Sequence, residues 1–296
     1  EWIFTAGASI DQLRVGFERF APGSLGLQRR RFSNQVAPRF ALLRKLGKLS
    51  AYASVSRGFS PPSTAELLPT GGAVNLALNA EEGRNYDAGL RGAIASRLSI
   101  DVNAFFFSLK NTIVQRRDAS GGDYYINSGK TRQYGLETSL SYIPFATTSF
   151  EHDLLWISHT WHHFRYASFK QLTNDFSGNR MPGEAPHTLS AGFDFALRKG
   201  WLGTIGYSFS GRVPLDDGNT AYADAYHLVD LRLGYGHEFG KRWYARFIAG
   251  AGNLLNERYS LGNDINGFGG RFYNAAPRRN YYLTLLVQWK TFYRQN

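Results

Sequence analysis

Apolar and polar positions alternate with period two in segments near ten residues long. From Leu98 the even positions read Leu98, Ile100, Val102, Ala104 and Phe106, while the odd ones include Ser99, Asp101 and Asn103. Such a segment has one apolar and one polar face, the signature of a half-covered β-strand. The pattern returns in Tyr134, Leu136, Leu140 and Tyr142 against Gln133, Glu137, Ser139 and Ser141, and in Trp201, Ile205, Tyr207 and Phe209 against Thr204, Ser208 and Ser210. It continues in Val229, Leu231, Leu233 and Tyr235 against Asp230, Arg232 and Glu238. The last run is Tyr281, Leu283, Leu285, Val287 and Trp289 against Tyr282, Thr284 and Gln288. Helical periodicity is not sustained anywhere.

Short turn signals fall at Lys45-Leu46-Gly47-Lys48, Gly92–Arg97, Ile143–Ser149, Arg198-Lys199-Gly200 and Phe239-Gly240-Lys241. Between them lie longer stretches rich in Gly, Pro, Asn and Arg, at roughly 20–33, 58–84, 110–132, 162–186, 211–225 and 255–280. One end of the molecule therefore carries tight turns and the other long loops. The breaks leave about twelve strands of about ten residues, the length of a tilted strand across a bilayer. Trp201, Trp243, Tyr244, Tyr281 and Trp289 stand near strand ends, where interfacial aromatic girdles belong. A large soluble β-sandwich or propeller would also alternate. Strand length and the asymmetry of the two ends favour a transmembrane barrel. No domain boundary is visible, so residues 1–296 are read as one β-barrel unit.

Composition narrows the choice. The 296 residues contain no Cys, one Met and 15% aromatic residues, with a formal net charge of +11. Thiolate metal sites and cysteine nucleophiles are excluded. No run approaches the length of apolar residues that a membrane helix needs, which leaves a membrane β-barrel untouched. The first residues, Glu1-Trp2-Ile3-Phe4, show neither a basic nor an apolar leader region, which reads as a start already processed or cut away. The basic residues are spread among the loops instead of forming one stripe, so no nucleic-acid partner is expected.

Several blocks resemble, in order, the motifs of TonB-dependent outer-membrane receptors of the siderophore type. Ser50–Pro62 resembles their strand-to-loop signature, and Asn75–Leu90 the return strand ending in Asn85-Tyr86-Asp87-Ala88-Gly89. Asn127-Ser128-Gly129-Lys130 through Gly135-Leu136-Glu137, Pro182–His187, Asn253–Tyr259 and Ala276–Tyr282 are similar to four later blocks. Arg278 stands where Gly is usual, and Lys290–Asn296 run past the aromatic residue on which such barrels usually end. The resemblance implies an all-β, antiparallel transmembrane barrel of 22 strands with a plug domain. This chain would supply about the last 12 strands, the plug being absent from it. It also implies a receptor in the outer membrane of a Gram-negative bacterium, energised by the TonB-ExbB-ExbD complex through a plug and TonB box outside this chain. Its other implied partners are the plug or N-terminal barrel portion and lipopolysaccharide.

The loops carry Arg29, Arg30, Arg31, Arg116, Arg117, Arg165, Arg180 and Arg271, with Tyr124, Tyr125 and Tyr273 beside them. Arg binds carboxylate or phosphate bidentately and Tyr stacks on flat ligands, so these residues form the expected ligand set for an anionic, partly aromatic cargo. A ferric siderophore fits that description as transported ligand, with no resident cofactor. The same arginines could instead meet lipopolysaccharide phosphates. His159 and His163 share a strand face, but no carboxylate at ligand spacing completes a metal site, so none is assigned. In this family haem receptors have a His in the loop corresponding to Ser60–Leu78, which has none here; haem is thereby disfavoured. His227 and His237, with Ser210 and Tyr222 nearby in sequence, raise a lipid-active enzyme, yet no Gly-x-Ser-x-Gly accompanies them, and no catalytic residue or enzymatic activity is expected. The expected function is ferric-siderophore uptake. The alternatives are a free-standing twelve-stranded barrel acting as pore or lipid-active enzyme, and import of haem, cobalamin or saccharide.

Overall fold

The computed structural model describes residues 1–18, 27–32, 34–68, 75, 77–117, 122–127, 129–145, 147–171, 174–240 and 242–289, with backbone only at 17, 28 and 115–117. Twelve strands make one antiparallel sheet: β1 (Trp2–Asp11), β2 (Gln35–Leu46), β3 (Leu49–Ser60), β4 (Glu81–Ala95), β5 (Leu98–Lys110), β6 (Lys130–Tyr142), β7 (Phe150–Ser168), β8 (His187–Leu197), β9 (Trp201–Ser210), β10 (Tyr226–Phe239), β11 (Trp243–Gly252) and β12 (Asn280–Trp289). Each strand pairs with its sequence neighbours, and the order is linear, with β1 and β12 at the two edges. A free-standing barrel of twelve strands would pair those edges with each other; this sheet is open.

The tight connections that follow Leu46, Ala95, Tyr142, Leu197 and Phe239 all lie at one end, where the sequence places them. The other end carries the long connections, four of which fold into small two-stranded ribbons at Arg14–Phe17 with Gln28–Arg31, Ile113–Arg117 with Asp123–Asn127, Lys170–Gln171 with Asn174–Asp175, and Ser260–Asn263 with Tyr273–Ala275. A fifth joins Val213–Pro214 to Tyr222–Ala223. One expectation fails in detail: 162–168, read as loop, is strand. Its inner edge pairs with β6, and its outer edge is taken by the returning arm, where the Tyr166 amide donates to the Asn179 carbonyl (3.0 Å) and Gly178 to Tyr166 (2.8 Å).

Register lines the alternation up across the sheet. Tyr142, Leu140, Leu136 and Tyr134 of β6 stand opposite Leu98, Ile100, Ala104 and Phe106 of β5. Ile205 and Tyr207 of β9 stand opposite Leu231 and Val229 of β10. Directly opposed residues point to the same face, so these runs merge into one apolar outer wall. The opposite face carries Asp87, Asp101, Asn103, Glu137, Asp194, Thr204, Asp230 and Arg232.

With both faces of the sheet uncovered, full burial occurs in the loops. Leu67, Leu78, Phe169 and Leu215 are each at most 1% exposed. Val213, Leu215, Ala185 and Ala223 pack together with Phe272. Helix α1 (Thr64–Leu67) is fixed by a capping box between Ser63 and Glu66, which sets Leu67 inward.

Candidate functional site

Side chains cross-link the inner wall from strand to strand. Tyr52 Oη of β3 donates to Asn103 Oδ1 of β5 (3.2 Å), and Asn103 Nδ2 donates to Glu137 of β6 (3.3 Å). Further round, Trp156 Nε1 of β7 donates to Asp194 (2.7 Å), Thr204 Oγ1 of β9 donates to the same carboxylate (2.6 Å), and Arg232 of β10 donates to Thr204 (3.0 Å). Two of these rings lie flat along the wall. Tyr52 crosses Gly89 and Trp156 crosses Gly192, where a Cβ would sit 2.6 Å from the indole; a residue larger than glycine would lift either ring off the wall.

Three long loops lock together through polar side chains. Tyr166, 2% exposed, donates its hydroxyl to Asp217 (2.5 Å), itself 4% exposed. Asn179 donates to the Asp217 carbonyl (2.8 Å), Asn219 bonds both the amide and the carbonyl of Arg180 (2.9 Å each), and the Asn266 amide donates to the Leu215 carbonyl (2.9 Å). Residues 169–186, 211–225 and 253–279 thus hold each other. On the other side Asn127 accepts from the Asn79 amide (2.8 Å) and donates to the Asn111 carbonyl (2.5 Å), joining 61–80 to 111–129. Asn253, 4% exposed, closes its loop by exchanging bonds with the Glu257 backbone (2.8 and 2.9 Å).

Between two of the locked loops opens a cleft of about 580 Å³ lined by Tyr226, Tyr259, Tyr273, Arg258, Asp224 and Asn263. Tyr226 and Tyr259 pack at 4.8 Å between ring centroids, and Tyr273 donates to the Tyr222 carbonyl (3.0 Å). Arg212 lies over the Tyr222 ring at 4.6 Å. The volume falls in the usual range for small-ligand sites, and the lining combines flat aromatic surface with a guanidinium.

The expected ligand residues divide. Arg29, Arg30 and Arg31 sit on the ribbon between β1 and β2, with Arg30 over the Phe32 ring at 4.6 Å. Partial burial lowers the Arg30 pKa from its ordinary value. Arg116 and Arg117 pair by backbone with Tyr124 and Asp123, and their side chains lie outside the described residues. Tyr124 and Tyr125 are half-buried on that ribbon, and the Tyr125 carbonyl accepts from Asn75 (2.8 Å). Arg271 is exposed after a short 3-10 turn, Phe268–Gly270, on the loop that also holds Tyr273. Arg165 and Arg180 are brought together by a β-bridge, on the outer face, since Arg165 opposes Arg132 in register with Tyr134 and His163. Sequence reasoning missed Arg258, Tyr226 and Tyr259 as cleft residues. Arg258 and Tyr259 lie inside a quoted motif block, so the signal was present, but its pairing with Tyr226 is long-range.

The other sequence candidates are placed as follows. His159 Nε2 lies 3.2 Å from His187 Nδ1 and His163 Nε2 accepts from Arg165 (3.0 Å), all on the outer wall. Among the described residues no group of three His, Cys, Asp or Glu side chains could hold a metal. His227 faces outward, bonded to Tyr207 (2.7 Å), whereas Ser210 opposes Tyr226 on the inner face. The two are on opposite sides of the wall and form no dyad.

Solved structures share this architecture. The chain superposes on the ferric citrate transporter FecA in its unliganded form with TM-score 0.74 at 18% identity, covering 98% of this chain and 43% of that one. For the siderophore receptor PiuA from Acinetobacter baumannii the values are 0.73, 17%, 98% and 41%. For the copper transporter OprC they are 0.72, 14%, 97% and 45%. The chain therefore spans less than half the length of each. At such identities the likeness establishes a barrel portion and nothing about cargo. The family description TonB dependent receptor-like, beta-barrel matches residues 1–254, and the chain belongs to that family, whose members are outer-membrane receptors of Gram-negative bacteria.

Proposed function

We propose that this chain forms part of the wall and mouth of an outer-membrane receptor that captures a ferric siderophore and imports it with energy delivered by the TonB-ExbB-ExbD complex. The observation that carries the reading is the 580 Å³ cleft of tyrosines and Arg258 at the long-loop end, suited to a flat anionic chelate. Family membership and neighbours named for a siderophore and for ferric citrate support the same class of cargo. In this reading the open edges β1 and β12 pair with the remaining strands, and the inner polar ladder faces a plug supplied by the rest of the receptor. The chain holds no catalytic step; its work is binding and enclosure.

The test uses the full receptor in detergent and in cells. Tryptophan emission is titrated with ferric citrate, catecholate and hydroxycarboxylate chelates, and uptake of the labelled chelate is followed with and without a membrane proton gradient. Quenching by one chelate, lost in Arg258→Ala and Tyr259→Ala, together with gradient-dependent uptake, is the expected result. No quenching by any ferric chelate, or uptake indifferent to the gradient, refutes the proposal.

A further inference from the structure

A second cavity, of about 450 Å³, adjoins the tyrosine cleft at the long-loop end. Asn263 and Ile265 line both spaces, which places them side by side. Thr112, Ile113 and Val114 come from one of the two locked loop assemblies, and Asn263, Asp264 and Asn266 from the other. Both walls are held from behind. The Ile113 amide donates to Glu81 Oε1 (2.7 Å), and Asn266 accepts from the Asp217 amide (3.1 Å) while its own amide donates to the Leu215 carbonyl (2.9 Å). Asn263 pairs through its backbone with Tyr273 of the cleft.

Two oxygens in these walls lack a partner. Thr112 is 7% exposed, and its Oγ1 is buried without a hydrogen bond; Asn263 Oδ1 is in the same state. Such groups are rare in folded proteins, because each keeps the full cost of leaving water. One belongs to each loop assembly, and both accept from an N–H or O–H. Both are covered by the lining, so a donor reaches them as the two loops adjust around it, where no bulk water competes.

The charge differs from that of the cleft. The cleft contains Arg258, whereas the cavity has no Lys or Arg in its lining among the described residues, and its one charged side chain is Asp264. An anion entering it meets a carboxylate and two bare oxygens with no cation to offset them. Ile113, Val114 and Met181 supply apolar surface for a short carbon chain.

We infer that this cavity is a second subsite of the cargo site, and that it takes a non-anionic arm carrying a hydroxyl or amine, joined to the anionic aromatic head that the tyrosine cleft receives. Thr112 and Asn263 accept from the arm, and Asp264 repels a carboxylate in its place. The inference rests on the reading of the cleft as the cargo site and narrows it: a chelate that is anionic at every edge fills the cleft alone.

The experiment titrates tryptophan emission of the full receptor in detergent with the ferric complexes of four catechol carboxamides. They differ only in the amide substituent, which is absent, propyl, hydroxyethyl or carboxyethyl. Propyl and hydroxyethyl have nearly the same length, so their ratio reads the donor. Wild-type protein is expected to bind the hydroxyethyl complex at least about tenfold tighter than the propyl one, and the carboxyethyl complex more weakly than either. Thr112→Val, which keeps the shape and removes the hydroxyl, loses most of that preference, and Thr112→Ser restores it. Equal binding of the hydroxyethyl and propyl complexes overturns the subsite and leaves the cleft standing. A preference undiminished in Thr112→Val, or carboxyethyl binding as tight as hydroxyethyl, overturns it too. Binding of none of the four refutes the reading of the cleft itself, and the inference falls with it. Should Thr112→Val assemble poorly, Asn263→Ala decides by the same ratio, and a preference of full size there refutes the inference.

Discussion

Replacing Tyr166 by Phe removes one hydroxyl from the knot that holds three loops together and leaves the ring packed on Phe169 at 4.7 Å. The lost bond reaches a carboxyl group that is 4% exposed, where water cannot substitute freely. A buried hydrogen bond to a charged acceptor contributes about 1.5–3 kcal/mol. Converted at about 1.4 kcal/mol per decade, the opening equilibrium of the knot should rise roughly 10- to 150-fold. Native-state hydrogen exchange on the full receptor reads this directly at the amides of Gly178, Leu215 and Asn266, which donate to Tyr166, Ala221 and Leu215. The amide of Asn111, bonded to Gly129 in the separate Asn127 assembly, serves as reference and should not change. Acceleration below about threefold at the three knot amides, or equal acceleration at Asn111, would refute a local lock built on this bond.

Gly192→Val should lift Trp156 from the wall and break its bond to Asp194, destabilising the barrel by about 1–3 kcal/mol and shifting indole emission to the red; unchanged emission and an unchanged denaturation midpoint would contradict the flat-ring geometry. Asp175 on the exposed ribbon accepts from the Ser177 hydroxyl and amide and lies 3.6 Å from Lys170, and these hold its carboxyl below the ordinary range. A depressed folded pKa means that its stabilising contribution is complete above the unfolded value near 3.8 and fades as pH falls through the lower folded value. Ser177→Ala should therefore move the Asp175 titration upward, measured by carboxyl-carbon NMR, and a midpoint that stays put refutes the assignment. Arg116→Ala with Arg117→Ala should weaken binding of an anionic ferric chelate and flatten its salt dependence, read by tryptophan quenching across ionic strengths; an unaltered affinity removes the pair from the site.

The strand pattern was open to reading because period-two alternation is a property of one strand at a time. Leu98–Phe106 and Tyr281–Trp289 announce an apolar face without knowledge of their neighbours, and the tight turns announce themselves by composition. Segment 162–168 was misread for the complementary reason: it carries His, Arg and aromatic residues, and beyond β6 its outer edge is covered by the irregular arm 178–181 in place of a further sheet strand. The candidate site was legible only as a list of residue types at one end. Its division into cleft, ribbons and outer wall depends on register, which sets the facing of every side chain and leaves no local mark. Arg57, Arg84, Arg132, Arg165 and Arg180 are far apart along the chain and adjacent in the sheet. Likewise nothing in Tyr166 or Asp217 alone foretells their contact across 51 positions.

The rings that lie down over Gly89 and Gly192 keep the inner wall low at those two places. At these two places aromatic bulk lies along the wall, with its polar edge bonded to Asn103 and to Asp194. In the proposed receptor, a plug seated against these places is gripped there by bonds that water can take over one at a time, each contributing only about 0.5–1.5 kcal/mol net. In the proposed receptor, sliding friction is thereby decoupled from adhesion at these places: this part of the wall holds the plug in register and lets it shift under a modest, steady pull.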